Sequence, residues 1–206
     1  MSVRPVTDPA GLDHVVVAGG TPSEWAAMGA EEWVSFVSAF AAGASAGGAH
    51  WVTVLPHHGA PMSESEATSF GSALEGAGKF VEVRSAHGVR HVWRNDAGVS
   101  VVVDPSPDGH VRFAATVESL RSRGVDPGTV DEAMLSEAIL DPVESEPDLV
   151  VVVGPPDLLP DSLVWELAYS ELVFLDIGWR DVTSNHLELA IDDFNRRHRR
   201  FGGLDS

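Results

Sequence analysis

The chain has no cysteine and a single lysine, Lys79. The first absence excludes disulfides and thiolate metal sites. Positive charge is scarce throughout: 13 Lys and Arg stand against 31 Asp and Glu, a formal net charge of -18. A chain this acidic is poorly suited to nucleic acid and is repelled by anionic lipid. No apolar run is long enough to cross a bilayer, and no charged-then-apolar signal region opens the sequence. Neither a Ser-His-Asp arrangement nor a P-loop spacing occurs. Internal repeats and linker-like stretches are also missing. The expectation is a cytoplasmic protein, and its 206 residues suit one domain with a sizeable core.

What is present alternates between strand and helix patterns. Met1 to Leu12 reads as an arm with Pro5 and Pro9. His14 to Ala18 is a buried-strand run, stopped by Gly19-Gly20-Thr21-Pro22. Trp33, Val37, Phe40, Ala41 and Ala44 recur at helical spacing, and Gly43 to Gly48 is a loose Gly/Ala/Ser stretch. A second strand, His50 to Leu55, leads into a His- and Pro-rich loop from Pro56 to Ser65 and a helix from Glu64 to Leu74. Phe80–Arg84, Val89–Arg94 and Val99–Val103 are strand-like, the last two joined by a hairpin-like Asn95-Asp96-Ala97-Gly98. Helices are expected over Val111–Arg123 and Thr129–Leu140.

The last third is the most patterned. Asp148 to Val153 is a short β-branched run, ended by Gly154-Pro155-Pro156. From Asp161 a helical pattern places Val164, Leu167, Ala168, Glu171 and Leu172 on one side, with the Glu171 charge beside the apolar face. A second helix after Trp179 has Leu187, Ala190, Ile191 and Phe194 as its stripe. Asn185 with Glu188 resembles a capping box there, and Arg196 to Arg200 load its end with positive charge. The alternation implies an α/β fold: a single domain with a mostly parallel central sheet flanked by helices.

W-x-L-A-Y-S-E-L-x-F at Trp165–Phe174, D-x-x-W at Asp176–Trp179 and R-R-F-G-G at Arg199–Gly203 together resemble the C-terminal signature of the cis-prenyltransferases. A V-D-P-like segment at Val125–Leu135 extends the likeness. The family makes undecaprenyl and dolichyl diphosphates from isopentenyl diphosphate and an allylic diphosphate. The resemblance implies the family's fold over 1–206, with Trp165, Tyr169, Glu171, Phe174 and Trp179 at a subunit interface.

The resemblance also implies where the active site would lie, and this chain departs from it there. The family's first strand ends H-x-x-x-x-M-D-G-N-G-R-W-A. His14, Trp25 and Ala26 keep that spacing, but the metal- and diphosphate-binding aspartate is Gly20 and the loop arginine is Glu24. Pro22 removes a backbone donor from the phosphate-cradling loop. Two like charges about 4 Å apart repel by roughly 1 kcal/mol in water and more at lower dielectric, so Glu24 opposes a diphosphate. The two arginines that clamp isopentenyl diphosphate in the family fall on Val152 and Leu158, and its glutamate falls on Pro156. Its serine and asparagine fall on Pro160 and Asp161, and neither its F-S-x-E-N-W nor its N-Y-G-G-R motif is found.

The terminal R-x-G survives as Arg200-Phe201-Gly202, followed by Gly203. In the family this tail reaches the neighbouring subunit's diphosphate site. A chain keeping only that piece resembles the accessory member of a two-component cis-prenyltransferase, as the Nogo-B receptor is in animals. No catalytic residue and no cofactor is then expected in this chain, and Mg2+ is expected in the catalytic partner. Arg200, Gly202 and Gly203 would touch isopentenyl diphosphate in that partner's site, in a heterodimer or heterotetramer at most peripheral to a membrane. A basic helix end with a glycine cap is the alternative for the same residues. A divergent self-sufficient enzyme, or a lipid- or protein-binding pseudoenzyme, are the alternatives for the whole. His50, His57 and His58 lack the partners of a metal site. Asp104, Asp108 and His110 sit in a Pro-Gly turn where aspartate is common.

Overall fold

Valine runs set the centre of this fold, because a strand covered on both faces needs apolar side chains at every position. The computed structural model describes residues 11–201, with the side chains from His198 onward excepted. Strand β1 (His14–Gly19) leads into helices α1 (Pro22–Ala26) and α2 (Ala30–Ala46), then strand β2 (Trp51–Leu55) and helix α3 (Glu64–Ala77). Strands β3 (Phe80–Ser85), β4 (Gly88–Arg94) and β5 (Ser100–Val103) follow, then helices α4 (Gly109–Ser122) and α5 (Glu132–Leu140). Strands β6 (Leu149–Val153) and β7 (Glu171–Leu175) precede helix α6 (Ser184–Phe201).

The strands form one seven-stranded sheet in the order β3-β4-β5-β2-β1-β6-β7. From β5 to β7 every pairing is parallel, whereas β3, β4 and β5 form an antiparallel extension at one edge. This is the expected α/β fold with a mostly parallel sheet. Alternate residues serve the two faces. Val15, Val17, Val52, Val54 and Val151 pack with Trp33, Phe40, Leu187 and Ile191 from α2 and α6. On the opposite face Val16, Ala18, Leu55, Val150 and Val152 meet Leu163, and Val92 and Val102 meet Ile139 and Leu140 of α5.

Polar groups pin the lower end of this sheet. Asp148 Oδ2 accepts the backbone N–H groups of Asp13 and His14, at 2.8 and 3.1 Å. The His14 ring is fully buried, with Nδ1 2.9 Å from the Ser145 carbonyl and Nε2 2.9 Å from Thr53 Oγ1. A carbonyl only accepts, so Nδ1 carries the proton and Nε2 accepts from the threonine hydroxyl. Burial pushes this imidazole down to about 4.

Two segments differ from the sequence reading. Gly43 to Gly48 is not loose throughout, since α2 continues to Ala46. Its glycines let α6 approach: a Cβ on Gly43 would lie 2.9 Å from the Ser184 carbonyl oxygen, and one on Gly47 would lie 2.4 Å from Ile191. The expected helix from Asp161 to Leu172 is absent. Turns and bends occupy 161–170, and Glu171 opens β7. Side chains there compete for backbone acceptors, with Ser162 donating to the Pro56 carbonyl and Ser170 to the Glu166 carbonyl. The cap of α6 also shifts. Thr183, not Asn185, precedes the helix, and its backbone N–H donates to His186 Nδ1 at 3.2 Å.

Candidate functional site

In parallel sheets ligands bind beyond the carboxyl ends of the strands. Here that end is formed by Gly20 after β1, Pro56-His57 after β2, Asp104 after β5 and Gly154 after β6. Thr21 caps α1, and Glu24 completes a capping box. The Glu24 carboxylate accepts from Thr21 N at 2.8 Å and from Thr21 Oγ1 at 3.1 Å. The chain's own carboxylate thus takes the backbone donor that a bound phosphate would need. A second carboxylate stands beside it: Glu66 Oε1 accepts from Ser23 Oγ at 2.6 Å. Hydrogen bonds from Ser23 and Ser63 hold that carboxyl down at about 2, so it is ionised at neutral pH.

Gly20 is closed off from above. Its φ is +66°, and a Cβ there would lie 2.8 Å from the Trp179 ring. Trp179 stacks at 5.7 Å on Trp25, whose Nε1 donates to the Gly19 carbonyl at 3.1 Å. An aspartate at Gly20 would have to displace the indole. Among the described residues no three His, Asp or Glu gather around a common point.

After β6, Val152 is fully buried in the sheet while Leu158 and Leu159 are exposed. The His57 ring is buried beside Gly154, with Nδ1 3.0 Å from His58 Nδ1 and Nε2 lacking any hydrogen-bond partner. Burial, and then the neighbouring His58, holds His57 below the usual imidazole range.

The sequence reading missed a buried ion network on the β5 side. Asp104 accepts from Arg90 Nε at 2.9 Å, and its Oδ2 lies 3.2 Å from His87 Nε2 and 4.0 Å from Arg112 Nη1. Arg90 also donates to the carbonyls of Leu140 and Asp141. Arg112 Nη2 donates to Glu166 and to the Ser162 carbonyl. Each of these acids and arginines has a side chain only 1% exposed. Burial alone would raise the Asp104 carboxyl, but Arg90, His87 and Arg112 outweigh it and hold the group well below its usual range. Reading Asp104 as a turn residue was thus incomplete, whereas Asp108 does act locally, as the cap of α4. The signal was available: Arg90 interrupts an apolar strand and so needs a buried acceptor.

The expected interface residues separate into two groups. Trp179 is 6% exposed and committed to the core, and Trp165 donates to Ser136 Oγ and stacks on Phe113. Both rings thus pack against other parts of this chain, Trp165 while half-buried. Tyr169 is 67% exposed and Phe174 37%. Glu171 is half-buried on β7, not on a helix, with Arg197 Nη1 4.0 Å away. The glutamate that does lie deep is Glu166, 2% exposed. The Arg200 side chain, Gly202 and Gly203 lie outside the described residues.

Residues 101–202 match the sequence model of the family described as "Putative undecaprenyl diphosphate synthase". A ditrans,polycis-undecaprenyl-diphosphate synthase of Lactiplantibacillus plantarum is 42% identical over 80 residues, covering 39% of this chain and 30% of that protein. Isoprenyl transferase 2 of Bradyrhizobium diazoefficiens is 44% identical over 79 residues, covering 38% and 31%. The match thus spans about a third of these curated relatives. Two solved structures share the fold at low identity. Lavandulyl diphosphate synthase of Lavandula x intermedia, solved with dimethylallyl diphosphate, gives a TM-score of 0.55 at 13% identity, covering 91% of this chain and 96% of that one. A probable undecaprenyl diphosphate synthase of Campylobacter jejuni gives 0.55 at 12%, covering 89% and 95%.

Proposed function

We propose, from the match of residues 101–202 to that family, that the protein is a non-catalytic accessory subunit of a heteromeric cis-prenyltransferase. The partner carries the Mg2+ and joins isopentenyl diphosphate to an allylic diphosphate. This chain stabilises it and donates Arg200 and the backbone of Gly202 and Gly203 to its isopentenyl diphosphate site. The complex is cytoplasmic and at most peripheral to a membrane.

The observation that carries this reading is the closed end of β1. Glu24 occupies the α1 donor, Trp179 covers Gly20, and Val152 and Leu158 stand where the resemblance places arginines. The exposed Tyr169, Phe174, Leu158 and Leu159 supply apolar surface for a partner of this kind. A self-sufficient enzyme is the second reading, favoured by the identity to named isoprenyl transferases.

Assay of labelled isopentenyl diphosphate turnover by the purified chain, by an active cis-prenyltransferase, and by the two together separates them. The accessory reading expects no turnover by this chain alone and co-elution with the partner. In the complex, Arg200→Ala should cut turnover about tenfold to a hundredfold, from hydrogen bonds to charged groups worth roughly 1.5–3 kcal/mol. Arg197→Ala is the control, since Arg197 pairs with Asp193 within its own helix. Equal effects of the two substitutions would remove the support for donation in trans. Turnover by the single chain, abolished by a mutation in it, would establish the second reading.

A further inference from the structure

A cavity of about 610 Å3 lies at the β3 edge of the molecule, between the β3–β4 turn, the end of α4 and one face of α5. Its volume is in the range of small-molecule sites. It shares no residue with the site described above or with the C-terminal tail. The floor is apolar: Leu120 is buried, and Val125, Met134 and Ala138 are half-buried. The rim is charged, and the two signs come from different elements. Arg84 belongs to β3 and Arg123 caps α4. Glu137 and Asp141 lie one turn apart at the end of α5, on the same face as Met134 and Ala138.

These four side chains do not pair. Among the described residues no ion pair joins either arginine to either acid, or any of the four to another group. Acids outnumber Lys and Arg by 31 to 13, and other exposed arginines find them: Arg121, Arg180 and Arg197 each hold a carboxylate. Arg84 and Arg123 instead share a cavity with two carboxylates that they do not reach. An anion placed there would suit the arginines and be repelled by the acids, and a cation would meet the reverse. A ligand carrying both charges is complementary to both. Its ammonium also gains from the negative end of the α5 dipole beside Glu137 and Asp141. A free amino acid carries its two charges on one carbon, whereas a second residue adds about 3.5 Å of reach.

We infer that this cavity is a binding site for a short zwitterionic peptide of the dipeptide class with apolar side chains. Its carboxylate meets Arg84 and Arg123, its ammonium meets Glu137 and Asp141, and its side chains lie on Leu120, Val125 and Met134. The site requires no partner subunit and is independent of the function proposed above.

Leucyl-leucine, its N-acetyl form and its C-terminal amide share side chains and differ only in their end charges. Their binding to the full chain can be measured by calorimetry at neutral pH and low salt, because charges at a rim are screened. Leucyl-leucine should bind about tenfold more tightly than either capped form, tenfold being about 1.4 kcal/mol, since each cap removes the charge of one end. The four rim residues are exposed, so substituting them leaves the fold intact. Arg123→Gln should weaken leucyl-leucine and its N-acetyl form about threefold and leave the amide unchanged. Glu137→Gln should weaken leucyl-leucine and the amide by a similar factor and leave the N-acetyl form unchanged. Arg121→Gln is the control, since Arg121 is on α4 but outside the cavity and pairs with Glu118. Leucyl-leucine failing to bind, a capped form or free leucine bound as tightly, or unchanged affinity in Arg123→Gln or Glu137→Gln would each overturn the inference, as would an equal effect of Arg121→Gln.

Discussion

Buried, neutral His14 should make the protein's stability fall on mild acidification. Its imidazole titrates at about 4 in the folded protein against an ordinary 6.5. The unfolded chain therefore binds this proton first as the pH drops. Stability from this residue is complete above about pH 6.5, is lost as the pH falls toward 4, and is flat below that. A difference of about 2.5 pKa units at about 1.4 kcal/mol each gives a loss of about 3 kcal/mol. Near pH 5.5 the unfolded imidazole is about nine-tenths protonated and the folded one hardly at all, so the slope is about 1.2 kcal/mol per pH unit. His57, His87 and His91 are shifted in the same direction and steepen the total. Urea unfolding at a series of pH values, on the parent chain and on His14→Gln, isolates the one residue. The variant will be less stable at neutral pH, but its slope near pH 5.5 should be smaller by about one proton's worth. Direct titration of the His14 ring by NMR gives the same answer independently. Parallel slopes in the two proteins, or a folded His14 titrating above its ordinary value, would refute the reasoning.

Removing Asp104 should be more costly than any surface change. Asp104→Ala strands Arg90 and His87 in the interior and should lose roughly 3–5 kcal/mol, read as a lower melting temperature in calorimetry; an unchanged value would mean the network is dispensable. Gly47→Ala should destabilise by about 1–3 kcal/mol through overpacking against Ile191, and urea unfolding giving a gain in stability would contradict the close α2–α6 contact.

The parallel sheet was legible because its signal is local. His14–Ala18, His50–Leu55 and Asp148–Val153 are strand-length apolar runs, and both of their faces are covered. Residues 161–172 misled because their apolar spacing suits a helix, while Ser162 and Arg112 draw the backbone into other hydrogen bonds. That competition involves Pro56 and α4, far away in sequence, and no local pattern encodes it. The site showed the same division. The departures of Gly20 and Glu24 from the motif the sequence resembles were visible residue by residue. The partners those residues take, Trp179 over the glycine and Thr21 under the glutamate, depend on the folded arrangement. Glu166 was hidden because its neighbour Glu171 fits the same amphipathic pattern, and only the fold distinguishes the buried carboxylate from the half-buried one.

The order of strands has a consequence for how this chain can be assembled and divided. The region that matches the family by sequence contributes β5, β6 and β7, but β2 and β1 lie between β5 and β6. Val15 pairs with Leu149 on one side and with Val52 on the other. A fragment beginning at residue 101 would leave β5 and β6 each with an open valine edge, and such edges aggregate. Synthesis from the N-terminus likewise leaves β1 with one bare side until β6 emerges, a non-local closure of the sort that slows folding. The divergent half and the recognisable half are therefore not separable modules. Any substitution around Gly20 and Glu24 has to keep β1 straight, apolar and in register, because the half that resembles its relatives is built around it.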